Sequence, residues 1–323
     1  MREQRLQITR RYTWQRLAAR YLPGSIAIAS LTFLGWQLYK HYDLLRAQEI
    51  HFLPLWTFLS IFPLILSYFF VPYVWMEILR SIGIHLSFWK AFEIQYISHL
   101  GKYIPGKIWS YVIQVIMANQ VDIPAKKTFF SLLMLTYIMS ITSIMVFSLT
   151  FLLWEKFALF TRGAAVCGVF SLSLLLCWSH LPEKWLSLLL TRIRGISIDC
   201  APLPYGLMTL FLLGSWTLFA LGFHLMLKTF YPVTPQQTVI VVGIFAISWL
   251  AGYYAFFMPG GLGVQEGVQV ALLTLFFPVP VAVLIAFASR LWMTGGDLCI
   301  SFLALGRAYG ARRMQRAMYG SPS

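Results

Sequence analysis

Acidic side chains are scarce: Asp and Glu together number 11 in 323 residues, and charged residues of both signs make up only 11% of the chain. A water-soluble surface for a particle of this size cannot be assembled from so little charge when 59% of the residues are hydrophobic and mean hydropathy is +0.72. The four cysteines, Cys167, Cys177, Cys200 and Cys299, show no metal-ligand spacing and fall mostly within apolar runs. They predict neither a zinc site nor a disulfide framework. No nucleophile elbow, phosphate-binding loop, metal cluster or convincing carboxylate pair is present, so catalysis has little to work with and no cofactor is called for. An integral-membrane transferase stays as an alternative.

Long apolar runs are abundant. Crossing a hydrocarbon core of about 30 Å takes about 20 apolar residues as helix. Runs of that kind predict spans at 18–39, 52–79, 128–153, 163–180, 203–229 and 279–305. The expected fold is an all-α polytopic membrane protein with six full spans, or eight if two further stretches are counted. The apolar run after Arg20 is too long for a cleavable signal peptide and is read as the first span. The net charge of +14 concentrates at the ends, at Arg2, Arg5, Arg10, Arg11, Arg16 and Arg20 and at Arg307, Arg312, Arg313 and Arg316. That bias predicts an inner, cytoplasmic-type membrane with both termini cytoplasmic, and it assigns the charge to anionic headgroups rather than nucleic acid.

The two further stretches centre on Pro-Gly. Residues 91–119 place arms of about 13 residues, each about 20 Å long, on either side of Pro105-Gly106. Residues 235–276 repeat the layout around Pro259-Gly260-Gly261, with a longer leading arm. Short arms joined by helix breakers predict re-entrant hairpins whose broken backbone is buried in protein or lines a wet cavity; two kinked spans at each site are the alternative. Pro105 and Pro259 are 154 residues apart, and the spans that follow start near 128 and 279. With three crossings between the copies, the reading is an inverted repeat. The chain is divided into a basic segment and first span (1–50), repeat 1 (51–155), a connecting span with a cytoplasmic amphipathic segment (156–202), repeat 2 (203–306) and a basic tail (307–323), all within one transmembrane domain.

Ionisable groups inside a membrane cost roughly 2.5 to 3.5 kcal/mol on insertion scales and so call for a reason. In the first stretch Gln95, Ser98, His99 and Lys102 share one helical face, and Lys107, Ser110, Tyr111 and Gln114 repeat the spacing after the turn. Two facing stripes predict a cavity for a polar, anionic headgroup, with Lys102 and Lys107 as point charges for phosphate. The plainer account is that both lysines snorkel to the interface. In the second stretch Gly260, Gly261 and Gly263 permit close backbone approach, and the helix that begins near Gly263 aims free N-H groups at the break. Glu266 lies in that helix's first turn, either as a cap or as a partner for Arg290. Gln265 and Gln269 extend its polar face. Arg290 and Asp297, seven apart on the final span, share a face toward the interior; with Glu266 they are read as gating or coupling groups. Glu77 and Glu93 are placed nearer the interface.

The segments His99-Leu100-Gly101-Lys102-Tyr103-Ile104-Pro105-Gly106-Lys107-Ile108-Trp109 and Met258-Pro259-Gly260-Gly261-Leu262-Gly263-Val264-Gln265-Glu266-Gly267 resemble the paired signatures of the lysylphosphatidylglycerol synthase transmembrane-region, or flippase-like domain, family. Arg290 resembles a recurring arginine of that family. The resemblance covers nearly the whole chain and implies a flippase that moves lipids between leaflets: aminoacylated phosphatidylglycerol in bifunctional members, polyprenyl-linked sugars or hopanoids in stand-alone ones. The expectation here is a stand-alone member, with only a short basic tail where bifunctional members carry an aminoacyl-transferase domain. Membrane lipids are the expected partners, with a homo-oligomer or a lipid-modifying enzyme beside them. A non-transporting, lipid-binding accessory subunit of a synthase or glycosyltransferase is the second reading.

Overall fold

A computed structural model of the protein describes residues 53–103, 108–152, 203–255 and 258–319, with isolated positions elsewhere. The described chain is all helix: α1 (Pro54–Ser67), α2 (Phe70–Ser81), α3 (Phe88–His99), a 3-10 turn (Leu100–Tyr103), α4 (Ile108–Asn119), α5 (Ala125–Leu152), α6 (Tyr205–Lys228), α7 (Pro235–Tyr254), a second 3-10 turn (Pro259–Gly261), α8 (Val264–Leu273) and α9 (Val279–Tyr319). Five stretches are long and apolar enough to cross a membrane: Pro54–Ser81, Ala125–Ser148, Tyr205–Lys228, Pro235–Tyr254 and Val279–Ala311. This is a multi-pass membrane protein.

Four of the six expected spans coincide with these helices, while those at 18–39 and 163–180 lie outside the described residues apart from isolated positions. The leading arm of the second stretch is the longer one, as its sequence predicts. The arm at 235–254 is a 20-residue helix of about 30 Å, long enough to cross by itself. A Thr234 cap starts it early: Thr234 Oγ1 accepts from the Gln237 amide at 3.2 Å, and Gln237 Oε1 accepts from the Thr234 amide at 2.9 Å. The arms α3, α4 and α8 have 12, 12 and 10 residues, too short to cross alone.

The span at 54–81 is bent where α1 gives way to α2. Pro72 has no amide hydrogen to offer the Tyr68 carbonyl four residues back. The Tyr96 hydroxyl of α3 donates to that carbonyl instead, and Ser215 Oγ of α6 donates to the Ser67 carbonyl at 2.9 Å. Neighbouring helices thus satisfy the backbone that the bend exposes, as a lipid environment demands.

α6 runs antiparallel to α1 and α2, with the Leu53 amide donating to the Thr229 carbonyl at 2.8 Å and Tyr73 stacked on Phe211 at 4.3 Å between centroids. Lipid tails give apolar helices no hydrophobic reason to associate, so close approach and polar contacts hold the bundle. A Cβ on Gly222 would lie 2.9 Å from the Ser60 carbonyl oxygen, and one on Gly296 would lie 2.5 Å from Leu64 Cδ2. Trp292 Nε1 donates to Ser60 Oγ at 2.8 Å, and Trp75 Nε1 donates to Ser131 Oγ at 2.9 Å.

Packing repeats under an exchange of halves. α3 packs on α9 as α7 packs on α5; α4 touches α3 and α5 as α8 touches α7 and α9; the two 3-10 turns touch each other. Buried apolar side chains form one cluster centred on Trp75, Phe130 and Ile138 in the first half and another on Phe223, Phe245 and Ile285 in the second.

Candidate functional site

The two broken stretches meet at their turns. A Cβ on Gly260 would lie 3.0 Å from an Arg290 guanidinium nitrogen and 3.9 Å from the Lys102 carbonyl oxygen, which places the second turn against the first with Arg290 beside both. Glycine is required for this approach. Gly261 takes φ +71°, and a Cβ there would stand 2.7 Å from the Gly252 carbonyl oxygen. On the first hairpin, a Cβ on Gly101 would lie 2.7 Å from the Ser110 amide nitrogen, so the two arms touch through backbone.

α9 serves both breaks from one face. Toward the first, the buried Asp297 carboxylate accepts from the Lys102 ammonium and, at 3.0 Å, from the Tyr68 hydroxyl; His99 Nδ1 stands 3.9 Å away, beyond hydrogen-bond reach. Toward the second, two turns earlier on the helix, Arg290 donates from Nη1 and Nη2 to the Gly260 carbonyl at 3.1 Å each and from Nη1 to Gln265 Oε1 at 3.3 Å. Glu266 Oε1 lies 3.2 Å from Arg290 Nη1, and Glu266 Oε2 accepts from the Gly263 amide at 2.7 Å. Capping and ion pairing, alternatives in sequence, coexist because a carboxylate has two oxygens and the first helical turn faces α9.

The cluster balances two cations, Lys102 and Arg290, against two carboxylates, Asp297 and Glu266. Charges taken out of water persist when paired and hydrogen-bonded in this way. Satisfaction is nevertheless incomplete. Among the described residues five buried side-chain polar atoms lack a hydrogen-bond partner, and three of them lie here: His99 Nδ1, Glu266 Oε1 and Gln269 Nε2. Buried polar atoms are paired in the great majority of cases. Of these three, Glu266 Oε1 still has its ion pair with Arg290.

The two polar stripes of the first hairpin part company. Gln95 and Gln114 join across it, Gln114 Nε2 donating to Gln95 Oε1 at 2.7 Å, and Ser98 Oγ lies 3.4 Å from Gln114 Oε1. Tyr111 instead bonds Tyr253 of the other half through its hydroxyl, which also lies 3.3 Å from Thr136 Oγ1 on α5. Thr136 also bonds Tyr253 at 2.9 Å, and Ser140 bonds the Tyr254 hydroxyl at 2.8 Å. Gln269 accepts from Ser289 at 3.3 Å. Pro105, Gly106 and Lys107 lie outside the described residues, as does the side chain of Pro259.

Sequence reasoning did not single out Tyr68, Thr136, Ser140, Tyr253 and Tyr254. A signal existed for two of them, since Thr136 and Ser140 stand at i and i+4 on α5. Glu93 is buried, bonded to Lys90 at 3.2 Å and 3.6 Å from Arg307 Nε, whereas Glu77 pairs with the exposed Arg80 at 3.7 Å. No group of three metal-ligating side chains occurs among the described residues.

No curated protein matches the chain. The family profile described as "Lysylphosphatidylglycerol synthase TM region" matches residues 14–299, which include both Pro-Gly stretches and Arg290 and Asp297 of α9. This chain belongs to the lysylphosphatidylglycerol synthase transmembrane-region family.

Proposed function

We propose that the protein is a lipid translocase: a transporter rather than an enzyme, in which two inverted-topology repeats, 51–155 and 203–306, bring re-entrant breaks together around a lipid headgroup. The observation that carries this reading is the charge-balanced cluster at the meeting of the turns, beside which His99 Nδ1 and Gln269 Nε2 have no hydrogen-bond partner. Broken helices that meet inside a repeat-built membrane bundle are the arrangement of alternating-access transporters.

The chemistry follows from the pairs. A headgroup phosphate entering the cluster offers Lys102 and Arg290 acceptor oxygens that compete with those of Asp297 and Glu266. Each carboxylate it displaces releases one hairpin from α9. Exchange of an internal ion pair for an external one costs far less than opening the pair in hydrocarbon. Acyl tails stay in the bilayer throughout. Lys107, beside the first break in sequence, and the Gly263 helix end are assigned to the same anionic part of the lipid. The setting is the inner membrane.

The test is leaflet transfer. Purified protein in liposomes is loaded with fluorescent phosphatidylglycerol, its aminoacylated form or a polyprenyl phosphate, and outer-leaflet fluorophore is quenched at timed intervals. Accelerated transfer of one headgroup class is expected; no acceleration for any of the three removes the proposal's support. The second reading, a non-transporting lipid-binding subunit of a synthase or glycosyltransferase, draws on the fact that both cations already have carboxylate partners. It predicts co-purification of a stoichiometric enzyme and full function after Lys102 and Glu266 are changed to alanine.

A further inference from the structure

A second lipid-sized feature lies away from the central cluster. Between the start of α3 and the C-terminal part of α9 there is a groove of about 490 Å³, floored by Phe69, Phe92, Phe302 and Gly306. That volume falls within the range of about 300 to 1,000 Å³ typical of small-molecule sites. Phe302 is 66% exposed, so the groove opens sideways, where a membrane protein meets lipid.

Its rim is polar and cationic. The Arg307 guanidinium lies over the Trp89 ring at 4.1 Å from its centroid, with Nε 3.6 Å from Glu93 Oε1. Lys90 Nζ donates to Glu93 Oε2 at 3.2 Å. Two half-exposed cations thus share one buried carboxylate, which leaves a formal charge of +1 at the rim. Stacking and the Nε contact fix the guanidinium plane. The terminal nitrogens of Arg307 have no partner among the described residues, and a fork of that geometry matches phosphate. Trp at an apolar-polar boundary is the ordinary marker of the membrane interface.

We infer that this groove is a seat for an anionic phospholipid, with one acyl chain along Phe302 and Leu303 and the phosphate on Arg307 and Lys90. The occupant is set by charge complementarity: an apolar floor ending in an uncompensated cation is the mirror of an acyl chain ending in a phosphodiester. Ten residues of α9 separate Arg307 from Asp297, about 15 Å along the axis. The seat therefore stands apart from the central cluster, and it holds whether or not the protein translocates lipid.

Two variants separate floor from rim. A Cβ on Gly306 meets nothing within 4 Å, so Gly306→Leu fills the groove without colliding with protein. Arg307→Gln removes the charge and keeps the groove. Detergent-purified, delipidated protein is titrated with vesicles of phosphatidylglycerol or phosphatidylcholine, and bound lipid is counted by native mass spectrometry. Wild type is expected to retain phosphatidylglycerol in preference to phosphatidylcholine. Arg307→Gln should lose roughly fivefold of that preference, as expected for one interfacial charge, while Gly306→Leu should lose retention of both lipids with an unchanged melting temperature. Inorganic phosphate should not compete, because the floor contributes to binding. Equal retention of both lipids by wild type, or wild-type retention by both variants, overturns the inference.

Discussion

Lys102, at the first break, and Asp297, on α9, are separated by 195 residues and joined by an ion pair, to which the Tyr68 hydroxyl adds a donor. Asp297 shares its helix with Arg290, which holds the second break through Gly260 and Glu266. One helix therefore fastens both broken hairpins, by opposite charges at two points.

Asp297→Asn tests the first fastening. Asparagine keeps the size and still accepts from Tyr68, but it leaves the Lys102 ammonium without a carboxylate. Removing one partner of a buried pair costs about 3 to 5 kcal/mol; because the Lys102 side chain is 23% exposed and partly solvated, a loss below that range, about 2 to 3 kcal/mol, is expected. Melting in detergent reads it. Lys102→Met combined with Asp297→Leu should recover most of the loss, since an apolar pair has no charge to strand.

Glycine substitutions at the second break should sort by space. Gly261→Ala drives a Cβ to 2.7 Å from the Gly252 carbonyl oxygen at a left-handed φ, for a loss of about 1 to 3 kcal/mol. Gly267→Ala, exposed on α8 with nothing within 4 Å, should gain about 0.5 to 1 kcal/mol. Equal melting temperatures for the two variants would contradict the close contact of the turn with α7.

Tyr96→Phe removes the donor that satisfies the Tyr68 carbonyl at the bend of the first described span. The cost is about 1 to 3 kcal/mol for a buried acceptor left unpaired. Pro72→Ala restores an amide hydrogen four residues on, so the double variant should lose less than the sum of the singles. Strict additivity would show that the bend does not depend on Tyr96.

Tyr111→Phe and Tyr253→Phe remove opposite ends of one shared hydrogen bond. Each should cost about 1 kcal/mol, and together little more than either alone, because the same bond is lost. Denaturation of all four forms in one detergent provides the cycle.

Much of this architecture is readable from the chain. Apolar length alone places four of the crossing helices, since lipid imposes helix on any run that long. The seven-residue spacing of Arg290 and Asp297 puts both charges on one face of α9, because two turns bring a helix nearly back into phase. The partnership of Lys102 with Asp297 is not readable, because nothing local ties residues so far apart. The length of α7 is legible as well. The sequence makes the leading arm the longer one, and the Thr234 cap with the apolar run to Tyr254 sets it at 20 residues. Thr136 and Ser140 were passed over because a hydroxyl in an apolar helix usually bonds its own backbone; Ser140 does so, to the Thr136 carbonyl at 2.7 Å, while also reaching Tyr254.

The central claim is that a lipid headgroup passes through the paired charges where the two breaks meet. Exchanging the pair, as Lys102→Asp with Asp297→Lys, keeps the attraction and moves the cation from the first hairpin to α9. Leaflet transfer of the preferred fluorescent lipid in proteoliposomes, measured beside the melting temperature, is the most direct test. Loss of transfer with a melting temperature close to wild type is the predicted result. Transfer at the wild-type rate by the exchanged protein would contradict the account.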